Sequence, residues 1–189
     1  MSMLHPTFRT DYDHFQGSPL APIELIQYGD FQCAYCADAY PVIKWLQDSF
    51  GDALKFVYRH YPIPTRHPLS LQAAVAAEAA ALQGKFWHMH DMIYEQQKYL
   101  TRNSFSQFAR EIDLDSSLFE DCREHRKLFR KVISDFESGV KSGVDSSPTF
   151  FINGVRYDGF ADFDSLLLAL QNVDPYEYSM TDRTIGRLR

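Results

Sequence analysis

Gln27-Tyr-Gly-Asp-Phe-Gln-Cys33-Ala-Tyr-Cys36 sets two cysteines with two residues between them. It follows an apolar run, Pro22-Ile-Glu-Leu-Ile26, which reads as a short buried strand with Glu24 as its one charge. Gly29-Asp30 breaks that strand, and a helical period begins at Ala34. Cys33 then stands at a helix N-terminus, where unpaired backbone N–H groups and the helix dipole favour negative charge. Such a position lowers a thiol's pKa, and the thiolate is the reactive species. Cys36, a turn further in, is expected to be less exposed and placed to resolve a mixed disulfide. Two blander readings of the pair stay open: half of a zinc site, or two unrelated core cysteines.

Composition narrows the classes. With 189 residues, 45% hydrophobic and 23% charged, the chain fits one ordinary globular domain with room for an insertion. A formal net charge of −6 argues against a dedicated nucleic-acid or anionic-membrane surface. Three cysteines, odd and few, are not a secreted disulfide scaffold. The first residues, Met1 to Arg9, carry no apolar signal-peptide core, and no stretch approaches a membrane span. The expected setting is cytoplasmic.

Outward from the cysteines, the elements follow in order. Residues 1–21, broken by Pro6, Gly17 and Pro19, read as an extended lead-in. The helix from Ala34 is expected to bury Ala39, Val42, Leu46, Ser49 and Phe50, to kink at Pro41 and to stop at Gly51. Leu54, Phe56 and Tyr58 alternate as one face of a second strand ending at His60. From Arg66 to Ser142 the pattern is helical. Pro68 suits a first helical position, and the alanine run Ala73–Ala81 implies a helix packed on several sides. A second helix spans Lys85–Gln96, Ser104-Phe-Ser-Gln107 reads as a capping box for a third, and Asp115 caps a fourth. The fourth should turn Leu118, Phe119 and Cys122 inward; the fifth, Arg126–Ser142, should bury Phe129, Val132, Ile133, Phe136 and Val140. Thr149-Phe-Phe-Ile152, Asn153-Gly154 and Val155–Asp158 form a hairpin signal, because a type I′ turn needs positive φ at both central residues. A last helix covers about Asp162–Leu170, and residues 173–189 are a polar tail.

The skeleton is strand, helix with C-x-x-C, strand, helical block, hairpin, helix. The second informative stretch is Val144-Asp-Ser-Ser147-Pro148-Thr-Phe-Phe-Ile, which places a proline at the start of a strand, where it need not donate to the ladder.

C-x-x-C after the first strand, a proline inside the following helix and Ser147-Pro148 before a terminal hairpin together resemble the thioredoxin superfamily. The helical insertion, Tyr28-Gly-Asp-Phe31 before the cysteines and Pro148-Thr-Phe-Phe-Ile-Asn-Gly154 after them resemble its DsbA-like branch. The resemblance runs from about His14 to Leu170. It implies an α/β thioredoxin fold made of residues 22–65 and 143–172, with an inserted helical subdomain at 66–142 between the second strand and the cis-proline strand. It implies that Pro148 is cis and faces the cysteines, and that the backbone of Ser147 pairs with an extended substrate. Cys33 is then the attacking sulfur and Cys36 the resolving one, with Ala34 and Tyr35 tuning the redox poise. The family's buried acid, six positions before the first cysteine, is here Gln27, which cannot ionise. Asp30 and Glu24 are the nearby carboxylates that could take over proton transfer at Cys36, directly or through water.

Other signals weigh less. Cys122 reads as a small core hydrophobe. His88 and His90 do not share a helix face and do not read as a metal pair. His60 and His67 read as caps around the proline-rich turn, with a place near the active site as the alternative, and Arg183, Arg187 and Arg189 as a solvated basic tail.

The expected function is thiol–disulfide exchange with protein or peptide cysteines. It calls for no metal or organic cofactor but does call for a redox recycling partner, and reductase or isomerase direction if cytoplasmic. A non-catalytic binding module using the groove beside Pro148, and a zinc-holding domain, are the alternatives.

Overall fold

Gln27, in the middle of β2 (Ile23–Gly29), lies opposite Tyr58 of β3 (Leu54–His60) on one side and Phe150 of β4 (Thr149–Ile152) on the other. β2 and β3 run parallel; β4 is antiparallel to β2. Two short strands complete a five-stranded sheet in the order β1-β3-β2-β4-β5, with β1 at His14–Gln16 and β5 at Val155–Tyr157. The computed structural model describes residues 3–173; the polar tail lies, from residue 174, outside the described residues.

Helix α1 (Ala34–Phe50) follows β2, and five helices separate β3 from β4: α2 (Ser70–Ala81), α3 (Phe86–Glu95), α4 (Ser104–Glu111), α5 (Ser116–Arg123) and α6 (Arg126–Lys141). Helix α7 (Phe163–Gln171) closes the described chain, capped by Asp162, whose carboxylate accepts from Ser165 N–H. Period-two alternation splits β2 between two cores. Leu25, Phe56, Tyr58 and Phe150 face α1, α7 and α2–α5 in one continuous cluster. Ile26, Tyr28, Val57 and Phe151 face a smaller cluster with Leu4, Tyr61 and Val144. The helical block thus shares its core with the sheet.

The alanine helix α2 is buried on every side, as its composition implies, because only small side chains let neighbours approach all round. Asn153 and Gly154 carry the expected positive φ, 46° and 81°, at the hairpin turn. Gly51 ends α1 at φ 51°, and the Asp115 carboxylate caps α5 through Leu118 N–H at 2.9 Å.

Several expectations are corrected. The lead-in is not merely extended: β1 pairs with β3, and Leu4 and Asp13 are buried. The cause is Arg59. Its buried guanidinium binds both oxygens of Asp13 at 2.8 and 2.9 Å and the carbonyl oxygens of Pro6 and Thr7. Accordingly β3 is buried on both faces, with Lys55 and Arg59 paired rather than solvated. On α1 Cys36, Ala39, Ile43 and Leu46 are fully buried, Val42 and Phe50 pack half-buried against the same core, and Ser49 is exposed. Pro68 lies in the turn two residues before α2 rather than at its first position. The capping box does not form: Ser104 is already inside α4 and its hydroxyl accepts from Thr101 N–H, while Gln107 reaches Glu111.

On α5, Phe119 and Cys122 are buried but Leu118 is exposed. On α6 the inward face is rotated: Leu128, Val132, Asp135, Ser138 and Gly139 are buried, while Phe129, Ile133 and Val140 are exposed. Polar partners decide this rotation. Asp135 accepts from His60 N–H and Lys131, Ser138 bonds the Tyr28 hydroxyl at 2.8 Å, and Gly139 admits the rings of Tyr28 and Tyr61.

Candidate active site: two cysteines facing a cis proline

Cys33 is the N-cap of α1, in extended backbone conformation, and no acidic residue stands in that helix's first turn to compete with a thiolate. Its Sγ lies 3.1 Å from the carbonyl oxygen of Ser147. The Ser147–Pro148 peptide bond is cis. The fold therefore brings together Cys33, Cys36, Ser147 and the adjoining Pro148. Ala34 and Tyr35 are exposed at the rim, Tyr35 at 73%.

The two sulfurs have opposite electrostatics. The Cys33 pKa is drawn down to about 5, first by the hydrogen bond from the Cys36 thiol, then by the Ser147 side chain and the backbone N–H groups of Cys36 and Tyr35; these outweigh burial. Cys36 is fully buried, and burial pushes its thiol well up, reinforced by the neighbouring Cys33. At neutral pH Cys33 is thus held as the thiolate, while Cys36 keeps its proton.

The loop before Cys33 is fastened at several points. Asp30, buried, accepts from Gln32 N–H through Oδ1, and from Ile63 N–H and His67 Nδ1–H through Oδ2, each at 2.8 Å. Gln32 Oε1 accepts from Leu69 N–H. Gln97, just after α3, donates to the carbonyls of Phe31 and Cys33 at 2.9 and 3.0 Å. His67 is therefore a partner of Asp30 rather than a cap.

Beneath Cys36 lie Tyr58 and Tyr94, hydroxyls 3.0 Å apart, both buried. Burial, followed for Tyr58 by the charge of Cys36, raises both phenols well above their ordinary value. Gln27 is on this face, and its side-chain nitrogen has no partner. Glu24 is on the other face, paired with Lys55 at 2.8 Å, and so cannot serve Cys36. Gln97, Tyr58 and Tyr94 were not singled out by sequence; nothing local in Gln96-Gln97 marks a side chain that folds back onto a loop more than 60 residues earlier.

Among the described residues, one group of three metal-capable side chains converges. His14 Nε2 and His60 Nε2 each lie 2.8 Å from Glu78 Oε1. It includes neither Cys33 nor Cys36, and the His60 Nδ1 has no partner to steady the ring. The trio ties β1, β3 and α2 together, and His60 is thereby a buried network member rather than a cap. His88 is exposed; His90 is buried.

Comparison with known proteins agrees with the fold. The family model described as Thioredoxin (Thioredoxin_4) matches residues 9–172. The oxidised BdbD of Bacillus subtilis superposes with a TM-score of 0.78 at 19% identity, covering 90% of this chain and 96% of that one. Alpha-DsbA1 of Wolbachia pipientis gives 0.78 at 18% identity, covering 93% and 96%. A thioredoxin-like oxidoreductase from Silicibacter pomeroyi gives 0.74 at 24% identity, covering 85% and 91%. Among curated relatives, a protein named Na(+)/H(+) antiporter NhaA 1 from Mycolicibacterium vanbaalenii is 38% identical over 173 residues, 90% of this chain but 28% of its own length. One from Herminiimonas arsenicoxydans is 37% identical over 89% of this chain and 27% of its own length. The chain thus spans about a quarter of these relatives, and among the described residues no helix is long and apolar enough to cross a membrane. By the family match and the shared architecture, the chain belongs to the thioredoxin family, with the fold of its DsbA-like branch.

Proposed function

We propose that the chain is a thiol–disulfide oxidoreductase acting on protein or peptide cysteines through Cys33 and Cys36. The observation that carries this reading is the split between the two thiols, one held near 5 and the other raised by burial. In the reducing direction the Cys33 thiolate attacks one sulfur of a substrate disulfide and releases the other as a thiolate. Cys36 then loses its proton and attacks Cys33 Sγ, releasing the second substrate sulfur and leaving the Cys33–Cys36 disulfide. A dithiol recycling partner reduces that bond. The oxidising direction runs the same steps backwards. The Ser147 backbone offers the rail for an extended substrate, and Ala34 and Tyr35 form its exposed rim.

Direction depends on surroundings. Thioredoxin pairs a thiol pKa of about 7 with about −270 mV, and DsbA about 3.5 with about −120 mV; a Cys33 value of about 5 lies between the two thiols. A cytosolic glutathione poise holds such a pair reduced, which suits a reductase or isomerase. More oxidising surroundings turn it into a disulfide donor.

The test is the redox equilibrium of the pair across graded glutathione buffers, read by thiol trapping and mass. An intramolecular Cys33–Cys36 disulfide with a midpoint between those of thioredoxin and DsbA is expected. Absence of that disulfide in oxidising buffer overturns the two-cysteine mechanism. It would favour a binding module, in which replacing both cysteines leaves partner binding intact.

A further inference from the structure

We propose that His90, backed by Asp91, is the proton relay for the resolving cysteine, reached through Tyr58, Tyr94 and one water held beside Gln27. The proposal rests on the exchange reaction argued above. Every turnover requires Cys36 to lose a proton, yet Cys36 is fully buried. Gln27 cannot take it, Glu24 faces the other side of the sheet, and both oxygens of Asp30 are engaged by Gln32, Ile63 and His67.

Two unpartnered atoms point to the route. Gln27 Nε2 and His90 Nε2 are both buried without a hydrogen-bond partner. Both residues line the same small cleft, about 10 Å³, room for a single water, together with Tyr40, Lys44, Asp91 and Tyr94. Their chemistry is complementary. His90 Nδ1 donates to Asp91 Oδ1 at 2.8 Å, which leaves Nε2 as a lone-pair acceptor. The Gln27 amide is a donor. One water accepting from Gln27 and donating to His90 satisfies both, and two buried polar groups left bare would be costly.

The inner end is the Tyr58–Tyr94 hydroxyl pair, 3.0 Å apart and packed with Cys36 in one buried cluster. The outer end is Asp91, partly exposed and paired with Lys44 at 2.8 Å. The groups around the imidazole are Tyr40 and Lys44 from α1, Tyr58 and His60 from β3, and Asp91 and Tyr94 on its own helix. Burial, with Lys44 and His60, keeps His90 neutral against the pull of Asp91, so it is free to accept.

As Cys36 Sγ attacks the mixed disulfide, its proton passes along the two hydroxyls and the water to His90 Nε2. The Nδ1 proton moves to Asp91 and on to solvent, and the substrate leaves as a thiolate. No electron is gained or lost along the relay.

The test is single-turnover reaction of the reduced full chain with 5,5′-dithiobis(2-nitrobenzoate), followed by thionitrobenzoate release. The first phase is attack by Cys33; the second is resolution by Cys36. The expected result for His90→Gln is a second phase slowed about tenfold or more relative to the first, with an altered pH profile. Gln27→Glu added to His90→Gln should restore it, by supplying a base to the same cleft. Asp91→Asn, near the surface and mild for folding, should slow the second phase by a smaller factor. Wild-type resolution rates and pH profiles in His90→Gln or in Asp91→Asn overturn the relay. A wild-type chain with no second phase overturns the exchange mechanism itself, a different and separable failure.

Discussion

Cys33 Sγ and the carbonyl oxygen of Ser147 meet at 3.1 Å although 114 residues separate them in the chain. As a thiol, Cys33 donates to that oxygen; as a thiolate it has no proton to donate. Ionisation therefore frees the Ser147 carbonyl; in the exchange reaction proposed above, that carbonyl is then open to a substrate backbone N–H at the moment Cys33 becomes reactive.

The pH dependence of this switch is measurable. Alkylation of Cys33 by iodoacetamide should rise with a midpoint near pH 5 and stay high to neutrality. Ser147→Ala should move that midpoint upward, because the Ser147 side chain helps to hold the thiolate. A midpoint near 8 in the native protein would contradict the site's electrostatics.

The same shift affects stability of the reduced protein. The folded pKa, about 5, lies below the ordinary value of 9.0, so the thiolate's contribution is fully present above about pH 9 and shrinks as pH falls towards 5. Urea unfolding of reduced wild type against Cys33→Ser should show a stability difference that grows from pH 5 to 9. A difference that is flat across this range would count against the assignment.

Gln97→Ala removes both donors to the carbonyls of Phe31 and Cys33. A loss of about 1–2 kcal/mol in unfolding free energy is expected, together with faster hydrogen exchange in the Phe31–Cys33 loop. Unchanged exchange there would show that the remaining contacts of Asp30 and Gln32 suffice.

Asp13→Ala leaves the Arg59 guanidinium buried with only carbonyl and hydroxyl partners. Breaking a buried pair on one side costs about 3–5 kcal/mol, so denaturant midpoints should fall sharply. The first residues should also become protease-sensitive. A near-neutral effect would mean that β1 contributes little to the sheet.

Gly139→Ala is a steric test of the rotated α6. A Cβ there meets the Tyr61 ring at 2.9 Å and the Tyr28 ring at 3.0 Å. Overpacking of this kind typically costs about 1–3 kcal/mol, and thermal unfolding should register it.

Much of the chain's plan was legible locally. Asn153-Gly154 dictates positive φ and hence a hairpin, the alanines of α2 dictate close packing, and Cys33 at a strand-to-helix junction sets its own thiolate bias. The failures share a cause. Apolar periodicity misassigned the face of α6 and missed the docking of β1, and in both places a buried polar group chose the orientation. Asp135, Ser138, Asp13 and Arg59 each have partners distant in sequence, and periodicity carries no information about those partners.

From β2 onward the order of elements, the C-x-x-C helix start, the Ser147-Pro148 strand entry and the lack of an acid at Gln27 are readable along the chain, because they depend on residue chemistry within a few positions. The packed fold alone sets Ser147 against Cys33, turns Glu24 away from the site and places His90 in one cleft with Gln27. Each of these depends on which sheet face a side chain takes and which helix covers it, and hydrogen bonding between distant buried groups sets that choice.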